Sequence, residues 1–425
     1  MRFPFFVVCA AALSAAVSAT VPDLRLIEAV QKGDQKKVLA LLKAGAKVNE
    51  ARADGSTALA WAVNREDAEI SAALVSAGAN VNADDENGET PLGIACGLGN
   101  LGIAKLLLEA KADPNRSRWN GETPLMGAVT SKDVELVKLL VAAGAKVDVM
   151  EARSGQTALM WAAAEGKPEV VKLLIEKGAP VNAISKKGFS ALLFAAQGGN
   201  LDSVKALIEA KADTKFVSPE GATPFLVSLG RGHEAVAMLM LNYGVDVNAK
   251  DKSGSTPVHE AVSQGKVALV KELVKRGADL KARTGVAAGR ASFFRLGGLT
   301  PFLSAAQTGN IEMMQALLAL GADVKETNPD GVGALQLAAF SRKLAPVKFL
   351  VEAGVDVNVT RKGDGGALHA AIRFGQNDVI EYLVAHGADL TVKDRFGRTP
   401  LEEAEFEAPK PTIELVRKLT AEKAK

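Results

Sequence analysis

The stretch Asn120-Gly121-Glu122-Thr123-Pro124-Leu125-Met126-Gly127-Ala128-Val129-Thr130-Ser131-Lys132-Asp133-Val134-Glu135-Leu136-Val137-Lys138-Leu139-Leu140-Val141-Ala142-Ala143-Gly144-Ala145-Lys146-Val147-Asp148 carries the structural unit of this chain. Asn120-Gly121 favours a tight turn, because glycine accepts a positive φ without a Cβ clash. Thr123 suits a helix N-cap, and Pro124 at the first helical position loses no hydrogen bond. A second helix is predicted further on, with Val134, Val137, Leu140 and Val141 about one turn apart on an apolar stripe. Gly144 suits the left-handed residue that closes it. Neither helix can bury its stripe alone, so a neighbouring copy must cover it.

The copies are present. Turn glycines stand at positions 55, 88, 121, 155, 188, 221, 254, 298, 331, 365 and 397, spaced by 33, 33, 34, 33, 33, 33, 44, 33, 34 and 32 residues. The opening half recurs as Gly88-Glu89-Thr90-Pro91-Leu92, Gly254-Ser255-Thr256-Pro257-Val258 and Gly397-Arg398-Thr399-Pro400-Leu401. The closing half recurs as Gly78-Ala79-Asn80-Val81-Asn82, Gly244-Val245-Asp246-Val247-Asn248 and Gly354-Val355-Asp356-Val357-Asn358. This pattern resembles the ankyrin repeat. The resemblance covers essentially all of residues 22–420 and implies an all-α ankyrin-repeat solenoid with short β-hairpin fingers, about twelve units including caps.

The expected layout is a signal peptide over 1–19 and one continuous repeat domain over 20–425. Within the latter, an N-cap occupies 22–50, repeats occupy 51–395 with an insertion at 282–297, and a C-cap occupies 396–425. Arg2 followed by the apolar run Phe3 to Val17 and the small residues Val17-Ser18-Ala19 reads as a cleavable secretory leader. The mature chain is therefore expected to be extracytoplasmic, periplasmic or secreted, with no membrane span. Lys111 and Lys211 stand where the closing glycine is expected. Gly333 and Gly366 replace the Thr cap, which weakens those first helices by up to about 1 kcal/mol each. Pro409 and Pro411 are expected to break the chain before a last polar helix, Ile413 to Lys423.

Composition restricts the chemistry. The chain has 425 residues and a net charge of +2, so no global field favours nucleic acid. Of the two cysteines, Cys96 alone would survive leader removal. It stands where other repeats have Ala, so a small buried thiol is expected. Gly97-Leu98-Gly99-Asn100-Leu101-Gly102 matches G-x-G-x-x-G, but it falls between two predicted helices rather than after a strand. The four histidines (His233, His259, His369, His386) show no metal-ligand spacing. The resemblance implies that His259 and His369 hydrogen-bond between repeats. The carboxylates read as solvated or i,i+4 paired, with no convergent pair. No catalytic residue, cofactor site or metal site is expected.

The aromatic residues point to binding. Trp61, Trp161 and Phe194 share one register, two residues after the first-helix Leu. The resemblance places that register on the concave side. Trp119 is predicted in a finger beside Arg116 and Arg118. Packing between first helices is one explanation for the in-register rings; an aromatic anchor strip is the other. Trp119 escapes the packing explanation most readily. The insertion carries Arg290, Phe293, Phe294 and Arg295 and forms either a second contact region or a tolerated surface loop. Asn115 and Asn358 lie in N-glycosylation sequons. The expected function is a monomeric, non-catalytic scaffold that binds a protein partner on its concave finger and first-helix surface. The alternatives are a broad-client protective scaffold in the cell envelope and an enzyme with a site in the groove.

Overall fold

The structure, a computed structural model, describes residues 23–131, 133–285, 297–359, 365–394 and 396–423. The proposed leader and the insertion residues Arg290, Phe293, Phe294 and Arg295 lie outside the described residues. The chain divides into two compact units, Met1–Arg153 and Ser154–Lys425. Each is an array of antiparallel helical hairpins.

The first unit contains α1 (Arg25–Gln31) with α2 (Gln35–Lys43), α3 (Ala58–Asn64) with α4 (Ala68–Ser76), α5 (Pro91–Leu98) with α6 (Leu101–Glu109), and α7 (Pro124–Thr130) with α8 (Val134–Ala142). The second contains α9 (Ala158–Ala164) with α10 (Pro168–Glu176), α11 (Ala191–Gly198) with α12 (Leu201–Glu209), α13 (Pro224–Gly230) with α14 (Glu234–Leu241), and α15 (Pro257–Ser263) with α16 (Val267–Lys275). It continues with α17 (Pro301–Thr308) and α18 (Ile311–Ala319), α19 (Ala334–Phe340) and α20 (Leu344–Glu352), α21 (Gly366–Arg373) and α22 (Asn377–Ala385), and α23 (Pro400–Glu407) and α24 (Lys410–Lys423). The twelve expected units are thus all present among the described residues.

Local chemistry sets the helix ends. Thr123 Oγ1 accepts the Met126 N–H at 3.3 Å, with Pro124 next in line. Thr57, Thr90, Thr157, Ser190, Thr223 and Thr300 cap their helices in the same way. At Gly333 the side-chain cap is missing. In the following repeat the cap falls at Gly365, one residue before the expected Gly366, and also lacks a side-chain bond. Lys111 and Lys211 adopt φ of 69° and 66° and close their helices by accepting that strain. Pro411 does not break the last helix. It sits in the first turn of α24, where its missing N–H costs nothing.

Packing follows the repeat. Within each unit each first helix packs on the next first helix, and most second helices pack on the next second helix. Leu59, Ala62 and Val63 are buried, as are Leu92, Ala95 and Cys96, and Leu125, Ala128 and Val129. Cys96 is the small buried thiol expected, and burial pushes its pKa up. In α8 the buried stripe is Leu136, Val137 and Leu140, while Val134 and Val141 are only half-buried. The stripe is rotated by the Leu136 position relative to the sequence reading. The fingers are single hydrogen-bonded loops with isolated antiparallel bridges at Ala51–Thr57 and Thr327–Gly333. At the insertion, Thr284 N–H donates to Leu299 O at 3.0 Å and Gly298 N–H donates to Thr284 O at 3.1 Å, which clamps its two ends together.

A side-chain clasp joins successive repeats. Asn115 Nδ2 donates to Gly144 O at 3.1 Å, and its Oδ1 accepts the Lys146 N–H at 2.7 Å. Asn49, Asn82, Asn182, Asn248 and Asn358 make the same pair of bonds to the residues 29 and 31 positions on. Each clasp ties down the carbonyl of the residue just past the C-cap of the next repeat's second helix. Both sequon asparagines, Asn115 and Asn358, are thus engaged in holding repeats together. Histidines form a second link. His259 Nε2 lies 3.0 Å from Leu299 O, and His369 Nε2 lies 3.2 Å from Arg398 O. Each carbonyl belongs to the following repeat, as the resemblance implies.

Two predictions follow from these links. Asn115→Ala should lower unfolding free energy by about 1 kcal/mol, because it deletes both bonds of one clasp; urea denaturation measures it, and an unchanged midpoint would show that the clasp is idle. His259 is 4% exposed, and burial holds its pKa below the ordinary 6.5. The unfolded chain therefore binds this proton more readily than the folded one, so stability present at neutral pH drains as pH falls below 6.5. The urea midpoint should drop between about pH 7.5 and about pH 5.5, and drop less in His259→Gln.

Candidate functional site

In the first unit the finger loops and first helices form one cavity around Trp61. Repeat grammar puts Trp61 on α3, five residues after Ser56. Its Nε1–H donates to Ser56 Oγ at 3.2 Å, and that hydroxyl donates to Asp54 Oδ1 at 2.7 Å. These bonds tie the indole to its own finger, while Ala60 of α3 and Ile94 of α5 line the same cavity. The Arg52 guanidinium lies 5.6 Å from the ring centroid. Asp54, Ser56, Ala60, Asn64, Asp85, Glu89 and Ile94 line the cavity with Trp61.

Trp119 sits on the finger before α7 and is 76% exposed. Its backbone is held, since its N–H donates to Asn87 O on the preceding finger at 3.0 Å. Arg116 Nη2 meets Asp84 Oδ2 at 2.8 Å, and that hydrogen bond keeps the Asp84 carboxyl below its usual range. Arg118 pairs with Glu89 and, at 3.2 Å, with Glu122. Both arginines therefore brace the fingers. Glu89 links the two features: it lines the Trp61 cavity and binds Arg118. Burial raises its pKa, against the opposing pull of Arg118.

In the second unit Trp161 and Phe194 are half-buried. Phe194 stacks on Phe189 from its own finger, with centroids 5.3 Å apart. Phe189 stands five residues before Phe194, as Ser56 stands before Trp61. Trp161 Nε1 is buried with no acceptor bonded to it. Glu89 thus joins the Trp61 cavity to the finger that carries Trp119, and in the second unit Phe194 is held by Phe189 of its own repeat.

Sequence reasoning missed a cluster near the C-terminal end of the second unit. Phe340 meets Phe374 edge-on at 5.7 Å, and Arg342 lies 5.0 Å from the Phe374 centroid. Arg398 lies 4.6 Å from both the Phe396 and the Phe406 centroids, and those rings are 57% and 71% exposed. Beneath them Glu403 is wholly buried and pairs with Arg373 and Arg398, each at 2.7 Å. This corrects the expectation that every carboxylate is solvated or locally paired. Arg373 is 30 residues from Glu403, so i,i+4 reasoning does not reach it. The signal was the 33-residue period linking positions 340, 373 and 406, which carry Phe, Arg and Phe.

No group of three His, Cys, Asp or Glu among the described residues could hold a metal ion, and no helix among them is long and apolar enough to cross a membrane. Gly97 to Gly102 runs from the end of α5 through Gly99, with φ 76°, into α6. That is a helix-to-helix turn with no strand before it.

Comparison with known proteins agrees with this architecture. A family profile described as ankyrin repeats in three copies matches residues 26–118, 113–185, 192–284 and 290–361. Another, described as ankyrin repeats in many copies, matches residues 350–404. The crystal structure of the ankyrin repeat domain of Bcl-3, described as a unique member of the IkappaB protein family, is 30% identical. The match covers 51% of this chain and 98% of that one, with a TM-score of 0.45. No curated protein matches the chain. With the profiles covering most of its length, the chain belongs to the ankyrin repeat family.

Proposed function

We propose that this chain is a non-catalytic scaffold that binds a protein partner through the fingers and first helices. Ankyrin repeats are in general protein–protein interaction scaffolds and typically non-catalytic. The observation that carries the reading is Trp119. A large apolar ring stands 76% exposed on a finger whose backbone and flanking arginines are fixed. Exposure of such a ring has a cost in water, and a rigid aromatic loses little entropy on binding. Trp61 lies in the same unit and extends the contact. Trp161 and Phe194 offer a comparable face in the second unit, and Phe396 and Phe406 another. A further contact at Arg290, Phe293, Phe294 and Arg295 is proposed from composition alone.

The proposed site of action is outside the cytoplasm, after removal of residues 1–19. The support is the Arg2, apolar run and small-residue signal at the start of the chain. The domain limits 20–425, with caps at 22–50 and 396–425, belong to the same proposal.

Two measurements test it. Trp119→Ala should weaken capture of a co-purifying partner by roughly 2 kcal/mol while leaving the melting temperature in place, because the side chain supports no packing. Unchanged capture would remove Trp119 from the site. Intact mass of the protein recovered from an extracytoplasmic fraction should correspond to a chain starting at Thr20. A mass that retains Met1 to Ala19 would refute leader removal.

A further inference from the structure

The Trp61 cavity has a chemistry of its own. Trp61, Ala60 and Ile94 give it an apolar wall, and Asp54, Asp85 and Glu89 give it three carboxylates. Close finger packing brings these groups to one place. The Glu86 N–H donates to Asp54 O at 2.8 Å, and a Cβ on Gly55 would stand 2.9 Å from Asp85 Cα.

The two aspartates are half used. Asp54 Oδ1 accepts the Ser56 N–H at 2.9 Å and the Ser56 hydroxyl at 2.7 Å. Asp85 Oδ1 accepts the Asn87 and Glu89 N–H groups, each at 2.8 Å. These bonds build the finger turns. No described donor is bonded to Oδ2 of either residue. Glu89 is desolvated and shares Arg118 with Glu122. The carboxylates are therefore only partly compensated from within the chain.

We propose that this cavity receives a lysine or arginine side chain from an extended segment of the partner protein. The proposal rests on the scaffold reading and names the chemistry of one of its contacts. A cation gains from an indole face beside it and from free carboxylate oxygens around it. Arg52 already holds a guanidinium at 5.6 Å from this ring. An anion would be repelled by the same lining. An apolar side chain would strip water from the carboxylates and return nothing to them. The arginine-braced finger that carries Trp119 meets the cavity through Glu89, so a partner segment can engage both.

The test uses the full mature chain and two short peptides, acetyl-Gly-Arg-Gly-amide and acetyl-Gly-Gln-Gly-amide. The readout is the Trp61 indole N–H resonance, assigned with Trp61→Phe. The arginine peptide should shift that resonance saturably at low salt, and the glutamine peptide should not. The double variant Asp54→Asn with Asp85→Asn keeps both turn acceptors and should weaken the response about tenfold, the loss of two partly exposed ion pairs. Equal shifts from the two peptides, or an undiminished response in the double variant, would overturn the proposal. Loss of the peptide response with partner capture intact would sink this cavity and spare the scaffold reading. Intact peptide binding with Trp119→Ala capture unchanged would do the reverse.

Discussion

Every repeat is governed by one constraint: its helices are too short to stand alone. First helices run seven or eight residues and second helices mostly nine. Isolated helices below roughly 12 residues are marginal in water. Each hairpin also exposes an apolar stripe, which only the next hairpin can cover. Burying Leu59, Leu92 or Leu125 in this way contributes on the order of 2 kcal/mol each. The asparagine clasp then answers the remaining polar problem. A helix end pressed against a neighbour needs partners for its carbonyls, and Asn115, Asn182 or Asn358 supplies one from the preceding repeat.

The same constraint locates function. The apolar stripes are consumed in stacking, while the fingers and one register of the first helices, four residues after the cap, carry side chains that differ from repeat to repeat. Trp61, Trp161 and Glu403 occupy one such register and take three different roles. Trp61 lines a cavity, Trp161 buries an unpaired N–H, and Glu403 joins two arginines. A uniform frame thus carries different chemistry at one and the same position of its repeats.

The fold was almost wholly legible in the sequence, because it is written in local signals repeated at a fixed period. Thr123-Pro124 starts a helix and Gly144 ends one wherever the motif recurs, and each recurrence checks the others. Errors arose where the local rule had a tertiary competitor. Leu136 displaces Val134 from the buried stripe because the neighbouring helix selects the face. Pro411, a breaker by the local rule, sits in a first turn. The site was legible only in part. Trp119 could be placed on a finger from its turn, and its exposure follows. Besides Glu122 on its own finger, the partners of Arg118 and Arg116 lie on the preceding finger, 29 residues away at Glu89 and 32 at Asp84, and composition does not name them. Glu403 was missed for the same reason: its arginines come from another helix and another loop.

The account rests on mutual shielding between copies, and one hairpin taken alone tests it most directly. Far-UV circular dichroism of a synthetic peptide spanning residues 120–152 at micromolar concentration should show a largely unstructured chain, although Pro124–Thr130 and Val134–Ala142 are helical in the protein. A stable, monomeric helical signal from that peptide would mean that the hairpin hides its own apolar face, and the account would be contradicted.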